Sequence, residues 1–191
     1  MAMTLMSKSS PLLLRPLEKS DLAYFQFWPQ NENLLLRGYN YSDLNQEELA
    51  FWYAEKTSFF NCYFAIDYTD PFIGFVGAKK LNYFTRSGEL GIVLSPKYQS
   101  KKLGKEVLEI FLRYFFEEMK MKTLYLYVDQ FNQRAISLYK SLSFEIMDEG
   151  AEAFENQDII YEEIYQENKD HFYFLGKTLY SKLWRMRKVG L

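Results

Sequence analysis

Apolar positions recur along this chain with two different spacings, and the changes between them mark out its elements. Residues 12–16 read as an opening strand. Ser20 and Asp21 offer a cap for a short helix over 22–28, which Pro29 stops. Asn45 and Glu48 read as a capping pair ahead of Leu49, Phe51, Trp52 and Ala54, so a second helix is predicted over 46–57. Residues 62–68 and 72–83 read as strands joined at the Asp70-Pro71 turn, with Gly74 and Gly77 as points of bulging or close approach. The Thr85-Arg86-Ser87-Gly88 cluster turns the chain into a third strand over 89–94.

The pattern then lengthens. Leu103, Val107, Leu108, Ile110, Phe111, Tyr114 and Phe115 cover a wide face of a helix predicted over 103–120. Residues 123–129, nearly all apolar or aromatic, read as a strand covered on both faces. A strand, the long helix and this strand make a βαβ unit. A helix over 132–142 follows, then strands over 144–150 and 158–165. The segment 169–188 reads as a helix, with Leu175, Leu179, Leu183 and Trp184 on one side and Lys177, Lys182, Arg185, Arg187 and Lys188 making it basic. It docks on an anionic surface or, more simply, packs on the domain or a second copy. One domain over 1–166 with this helix appended over 167–191 accounts for the length.

Composition narrows the chemistry. The 191 residues carry 23 basic and 25 acidic side chains, a formal charge of −2, which argues against nucleic acid as the main partner. Cys62 is the sole cysteine, so no intrachain disulfide forms and a reducing cytoplasm is expected. His171 is the sole histidine, lying among Phe172, Tyr173 and Phe174, so zinc sites built from His and Cys clusters are excluded and no metal is expected. No apolar run approaches the ~20 residues of a membrane span.

The polar, lysine-bearing turn that opens the long helix is a physical anion cradle. Backbone N–H groups at a helix N-terminus lack intrahelical partners, and the helix dipole adds positive potential. Taken alone, a turn with one glycine and several lysines is equally a solvated βα turn, and its spacing fits neither a P-loop nor the dinucleotide fingerprint. The wider run Arg86-Ser87-Gly88-Glu89-Leu90-Gly91-Ile92-Val93-Leu94-Ser95-Pro96-Lys97-Tyr98-Gln99, then Leu103-Gly104-Lys105-Glu106, resembles the acetyl-CoA-binding motif of the GNAT N-acetyltransferase superfamily, whose pattern is Gln/Arg-x-x-Gly-x-Gly/Ala. Gln99 and Gly104 match, and Lys102 replaces the first glycine. Asn132, Ala135, Leu138-Tyr139 and Leu142-Ser143-Phe144 resemble the family's second pattern, with Ser143 in place of its glycine. Leu14-Arg15-Pro16-Leu17 with Asp21-Leu22 is similar to the branch that holds ribosomal-protein and spermidine acetyltransferases.

This resemblance, which covers about residues 12–150, implies an α/β (α+β) domain: a mixed, mostly antiparallel sheet of about seven strands with helices on both faces. It implies acetyl-CoA as acyl donor, its pantetheine arm along the backbone of Ile92, Val93 and Leu94 and its diphosphate on the amides of Gln99, Ser100, Lys101, Lys102, Leu103, Gly104 and Lys105. Asn132 would touch the cofactor near that arm. Lysine at 102 serves if φ is negative and is strained by about 1–2 kcal/mol if φ must be positive.

By the same resemblance Tyr139 donates a proton to the departing thiolate, against an ordinary core tyrosine. Glu89 acts as general base through water, against a strand glutamate paired to a lysine or tyrosine. Asp67, Asp129 and Glu145 are unranked. The N-terminal helices, with Tyr24, Phe25, Trp28, Tyr39, Tyr41, Trp52 and Tyr53, form one wall of the acceptor site. The implied activity is transfer of acetyl to a primary amine (a small molecule, an amino sugar or a peptide terminus) by direct attack; the oligomeric state stays open, a homodimer being one possibility. The rival is a non-catalytic acyl-CoA-binding module, favoured by Lys102 and Ser143.

Overall fold

The computed structural model describes residues 4–7, 10–99 and 101–190. The chain forms two compact units: residues up to 30 with 41–124 and the end from 189, and residues 31–40 with 125–188.

The first unit is built on an antiparallel meander: β1 (Leu5–Met6), β2 (Leu13–Pro16), β3 (Cys62–Asp67), β4 (Gly74–Asn82) and β5 (Ser87–Leu94), each paired with the next. Residues 63–66 of β3 are all buried, as both faces of the strand are covered. On one face Tyr63 and Ala65 pack with Leu17, Phe25, Trp28, Trp52, Phe72 and Phe75. On the other, the Phe64 ring lies 6.4 Å from that of Phe111 and 5.2 Å from that of Tyr114.

The first face is roofed by α1 (Gln46–Lys56) and by a 3-10 helix, Lys19–Phe27. α1 starts at the predicted cap. Asn45 accepts from the N–H groups of Glu47 and Glu48 at 2.9 and 3.0 Å, and Glu48 accepts from that of Asn45 at 2.8 Å. The earlier helix begins sooner than predicted and is wound more tightly. Asp21, 2% exposed, is drawn into a bidentate pair with Arg15 at 2.9 and 2.7 Å, and Glu18 becomes the cap residue. The opposite face carries α2 (Leu103–Arg113), which runs into one wide turn at Tyr114–Glu118.

The second unit holds most of β6 (Thr123–Asp129), then α3 (Gln133–Ser141), β7 (Glu145–Ala153), α4 (Glu163–Asn168), β8 (Phe172–Leu175) and β9 (Thr178–Val189). β9 lies between β6 and β7 and pairs antiparallel with β7 and β8. Leu35, Ile159, Phe172 and Leu179 form its own buried cluster.

Two sequence expectations are corrected here. The segment 169–188 is a hairpin rather than a basic helix, and β9 is an internal strand rather than an appendage. Leu179, Ser181 and Leu183 are buried in alternation, the period of a strand. Gly176, at φ +63°, makes the turn between Leu175 and Thr178. Residues 158–165 are a 3-10 turn, Gln157–Tyr161, followed by α4 rather than a strand. Asn156 caps that turn by accepting from the N–H of Asp158 at 3.2 Å, and Ile159 plugs the cluster. The strands therefore number nine among the described residues, against about seven expected, in a mixed, mostly antiparallel α/β fold.

Candidate active site

At the end of β5, the Gln99 side-chain amide donates to the Leu94 carbonyl at 3.1 Å, which ties the following turn back to the strand. Ile92 and Val93 are half-buried and Leu94 is buried. Tyr98 is 3% exposed, and its hydroxyl bonds Asp70, which also pairs with Lys97 at 2.8 Å. The Lys101 ammonium sits 4.5 Å from the centre of the Tyr98 ring. Ser100 lies outside the described residues.

α2 then begins with no capping side chain, and Lys102 in the cap position stands at φ +59°. Among the described residues no side chain caps the first-turn N–H groups, those of Leu103, Gly104 and Lys105, and such groups have no intrahelical acceptor of their own. Lys97, Lys101, Lys102 and Lys105 lie within this stretch of chain, Lys97 paired with Asp70 and Lys105 3.9 Å from Glu109. Uncapped amides, a helix dipole and ammonium groups suit a diphosphate, so the residues fit the cofactor implied by the motif. The left-handed backbone at Lys102 answers the question left open by the sequence: φ is positive, and the position is strained by about 1–2 kcal/mol for a lysine.

In the second unit, Asn132 caps α3, accepting from the Ala135 N–H at 3.1 Å. The other end of α3 closes on Tyr139. The Phe144 N–H donates to the Tyr139 carbonyl, and the Ser143 N–H to that of Lys140, both at 3.0 Å. Ser143 stands at φ +62°, and the rings of Tyr139 and Phe144 meet edge to face at 5.8 Å. These are the bonds and the apolar contact of a Schellman stop, which favours glycine where Ser143 stands.

Burial, and after it the nearby Tyr39, holds the Tyr139 phenol well above its ordinary pKa. A phenol is protonated at neutral pH even at its ordinary value, and this shift keeps it so. Tyr39 is itself pushed up to about 12 by burial and by the charges of Asp129 and Glu152. Burial raises the Asp129 carboxyl, against a hydrogen bond from Ser181 that lowers it. This grouping of Tyr39, Asp129 and Glu152 near Tyr139 was not visible in the sequence. Asp129 was one unranked carboxylate among several, and only the ladder that sets Glu152 opposite Ser181 brings the groups to one place.

Glu89, on β5, faces Lys79 across the β4 ladder. Its two oxygens pair with Lys79 at 3.0 Å and Lys80 at 2.9 Å. Burial works to raise its pKa, but hydrogen bonds from both lysines win and leave it below the ordinary value. A carboxylate so held is a weak proton acceptor, and the arrangement favours the pairing role. The Cys62 thiol is pushed up by burial, which keeps it from ionising as a nucleophile would.

A family model described as an acetyltransferase (GNAT) domain matches residues 11–145. This chain belongs to that family. Members of the GNAT family draw on acetyl-CoA, and this GNAT chain is an acyl-CoA-dependent acetyltransferase. It is 26% identical over 149 residues to the spermidine N(1)-acetyltransferase of Escherichia coli K12, covering 74% of this chain and 76% of that one. It is 28% identical over 130 residues to the acetyltransferase PseH of Campylobacter jejuni, covering 63% and 80%. Its fold is shared with the spermidine N-acetyltransferase of Vibrio cholerae solved in complex with CoA and spermine, at a TM-score of 0.70, 24% identity and coverage of 94% and 95%. Among the described residues no helix of this GNAT chain is long and apolar enough to cross a membrane.

Proposed function

We propose that this acetyltransferase acts on a primary amine by direct attack and that Tyr139 is the proton donor to the departing thiolate. The observation that carries this reading is the placement of Tyr139: a phenol on a helix end fixed by the N–H groups of Phe144 and Ser143, its ring set against that of Phe144. A thiolate leaving group needs a positioned acid, and a phenol is one at neutral pH.

The bound donor supplies the activated acetyl group, and the rest falls to the chain. The amides of Lys101 to Lys105 and their lysines hold the diphosphate. The backbone of Ile92, Val93 and Leu94 guides the pantetheine arm. Asn132 sets the start of α3 and through it the direction of Tyr139. Glu89 keeps Lys79 and Lys80 paired. An amine acceptor agrees with the spermidine acetyltransferases among the relatives.

The test is calorimetric titration with acetyl-CoA, then thiol release over a panel of amines. Binding followed by release on at least one amine is the expected result. Binding without release on any amine supports the non-catalytic module instead.

A further inference from the structure

The ring of Tyr63 lies flat across two glycines. In the sheet register Tyr63 of β3 stands beside Gly77 of β4, and Gly77 beside Gly91 of β5. A Cβ at Gly77 would come within 2.5 Å of the Tyr63 ring, and one at Gly91 within 2.6 Å of its hydroxyl. The missing side chains let the phenol reach over β4 to β5, beside Ile92. Around it stand two further donors. The Lys56 ammonium, at the end of α1, is 5.1 Å from the centre of the Tyr63 ring and 5.9 Å from that of Trp52. Trp52 is 8% exposed, and its indole N–H is buried with no partner among the described residues.

The charges here are unequal. Glu89 is taken by Lys79 and Lys80, and among the described residues the carboxylate paired with Lys56 is that of its neighbour Glu55, at 3.4 Å. Three ammonium groups therefore face two carboxylates. Burial, foremost, and the charge of Lys79 lower the Lys56 pKa, while Glu55 raises it. An ammonium, a phenol and an indole N–H are all donors, and a cluster of donors that includes a cation suits an oxyanion.

We propose that Lys56, Tyr63 and Trp52 form a subsite for a carboxylate or phosphate carried by the acceptor amine. This rests on the reading of the chain as an amine acetyltransferase with its donor along β5, and it narrows that reading. A second ammonium on the acceptor, as in a polyamine, would meet Lys56 and Lys79 as like charges.

Three amines of one length separate the cases: β-alanine, propylamine and 1,3-diaminopropane, whose tails are anionic, neutral and cationic. The expected kcat/KM falls about tenfold at each step in that order, the scale of one charged hydrogen bond. Lys56→Met, which keeps the stem packed on the two rings, flattens the order mainly through KM. An independent readout needs no turnover. The indole N–H resonance of Trp52, assigned with Trp52→Phe, shifts saturably on titration with acetate or inorganic phosphate, and the shift is lost in Lys56→Met. A silent indole resonance, or a preference for diaminopropane that Lys56→Met leaves unchanged, overturns the subsite. An indole shift with no thiol release on any amine overturns acetyl transfer and leaves the subsite standing.

Discussion

Lys102→Gly is a substitution that makes the protein more stable by removing a side chain. Lys102 caps α2 at φ +59°, with no side-chain bond to the helix. A left-handed backbone costs an L-residue about 1–2 kcal/mol that glycine does not bear. Against this, glycine gives the unfolded chain more freedom, an offset of about 0.4–1 kcal/mol. The net gain is about 0.5–1 kcal/mol, or a rise of roughly 1–4 °C in Tm for a chain of this length. Urea denaturation and a thermal melt of the cofactor-free protein read it directly. Lys102→Ala is the control, since it removes the same ammonium but keeps a Cβ. Both variants lose the same charge from the diphosphate cradle, so a difference in acetyl-CoA affinity between them reports backbone fit alone. If Lys102→Gly is no more stable than Lys102→Ala, the strain argument is wrong.

Ser143→Gly acts by the same physics at the stop of α3, and a gain of about 0.5 kcal/mol is expected by urea denaturation. Tyr139→Phe keeps the edge contact with Phe144 but loses the proton, so kcat drops about a hundredfold with KM little changed in a thiol-release assay. Arg15→Met strands Asp21, 2% exposed, without its cation, a loss on the order of 3 kcal/mol in a denaturant titration. Glu89 titrates below its ordinary 4.5, so its pairing with the lysines stabilises the fold at neutral pH and fades as pH falls through that lowered value. The stability gap between wild type and Glu89→Gln is therefore constant near neutrality and shrinks in acid; a gap that widens in acid refutes the sign.

Much of the stretch from residue 45 to 150 was legible because its signals are local. The Asn45 cap, the Asp70-Pro71 turn and the wide apolar face of α2 each decide their own element, and the structure places them where the pattern does. The C-terminal hairpin was not legible for a definite reason. Leu175, Leu179 and Leu183 recur every four residues, a spacing that one helix face and one strand face share. Ser181 would have broken the tie, but it is polar and buried at 3% exposure, held by its place between Glu152 and Phe172 in the ladders and by its bond to Asp129. The inward alternation was thus hidden at the residue that serves the second unit's charge cluster.

The site divides the same way. The diphosphate turn and Tyr139 could be read from motifs, since each lies within one stretch of chain. The glycine row could not, because Gly77 and Gly91 matter only through their register with Tyr63, a relation between three strands. In the proposed reading, local chemistry is what places the donor and the acid. The proposed acceptor subsite depends instead on long-range register, where a single substitution such as Gly91→Ala would displace the Tyr63 hydroxyl without touching either motif residue.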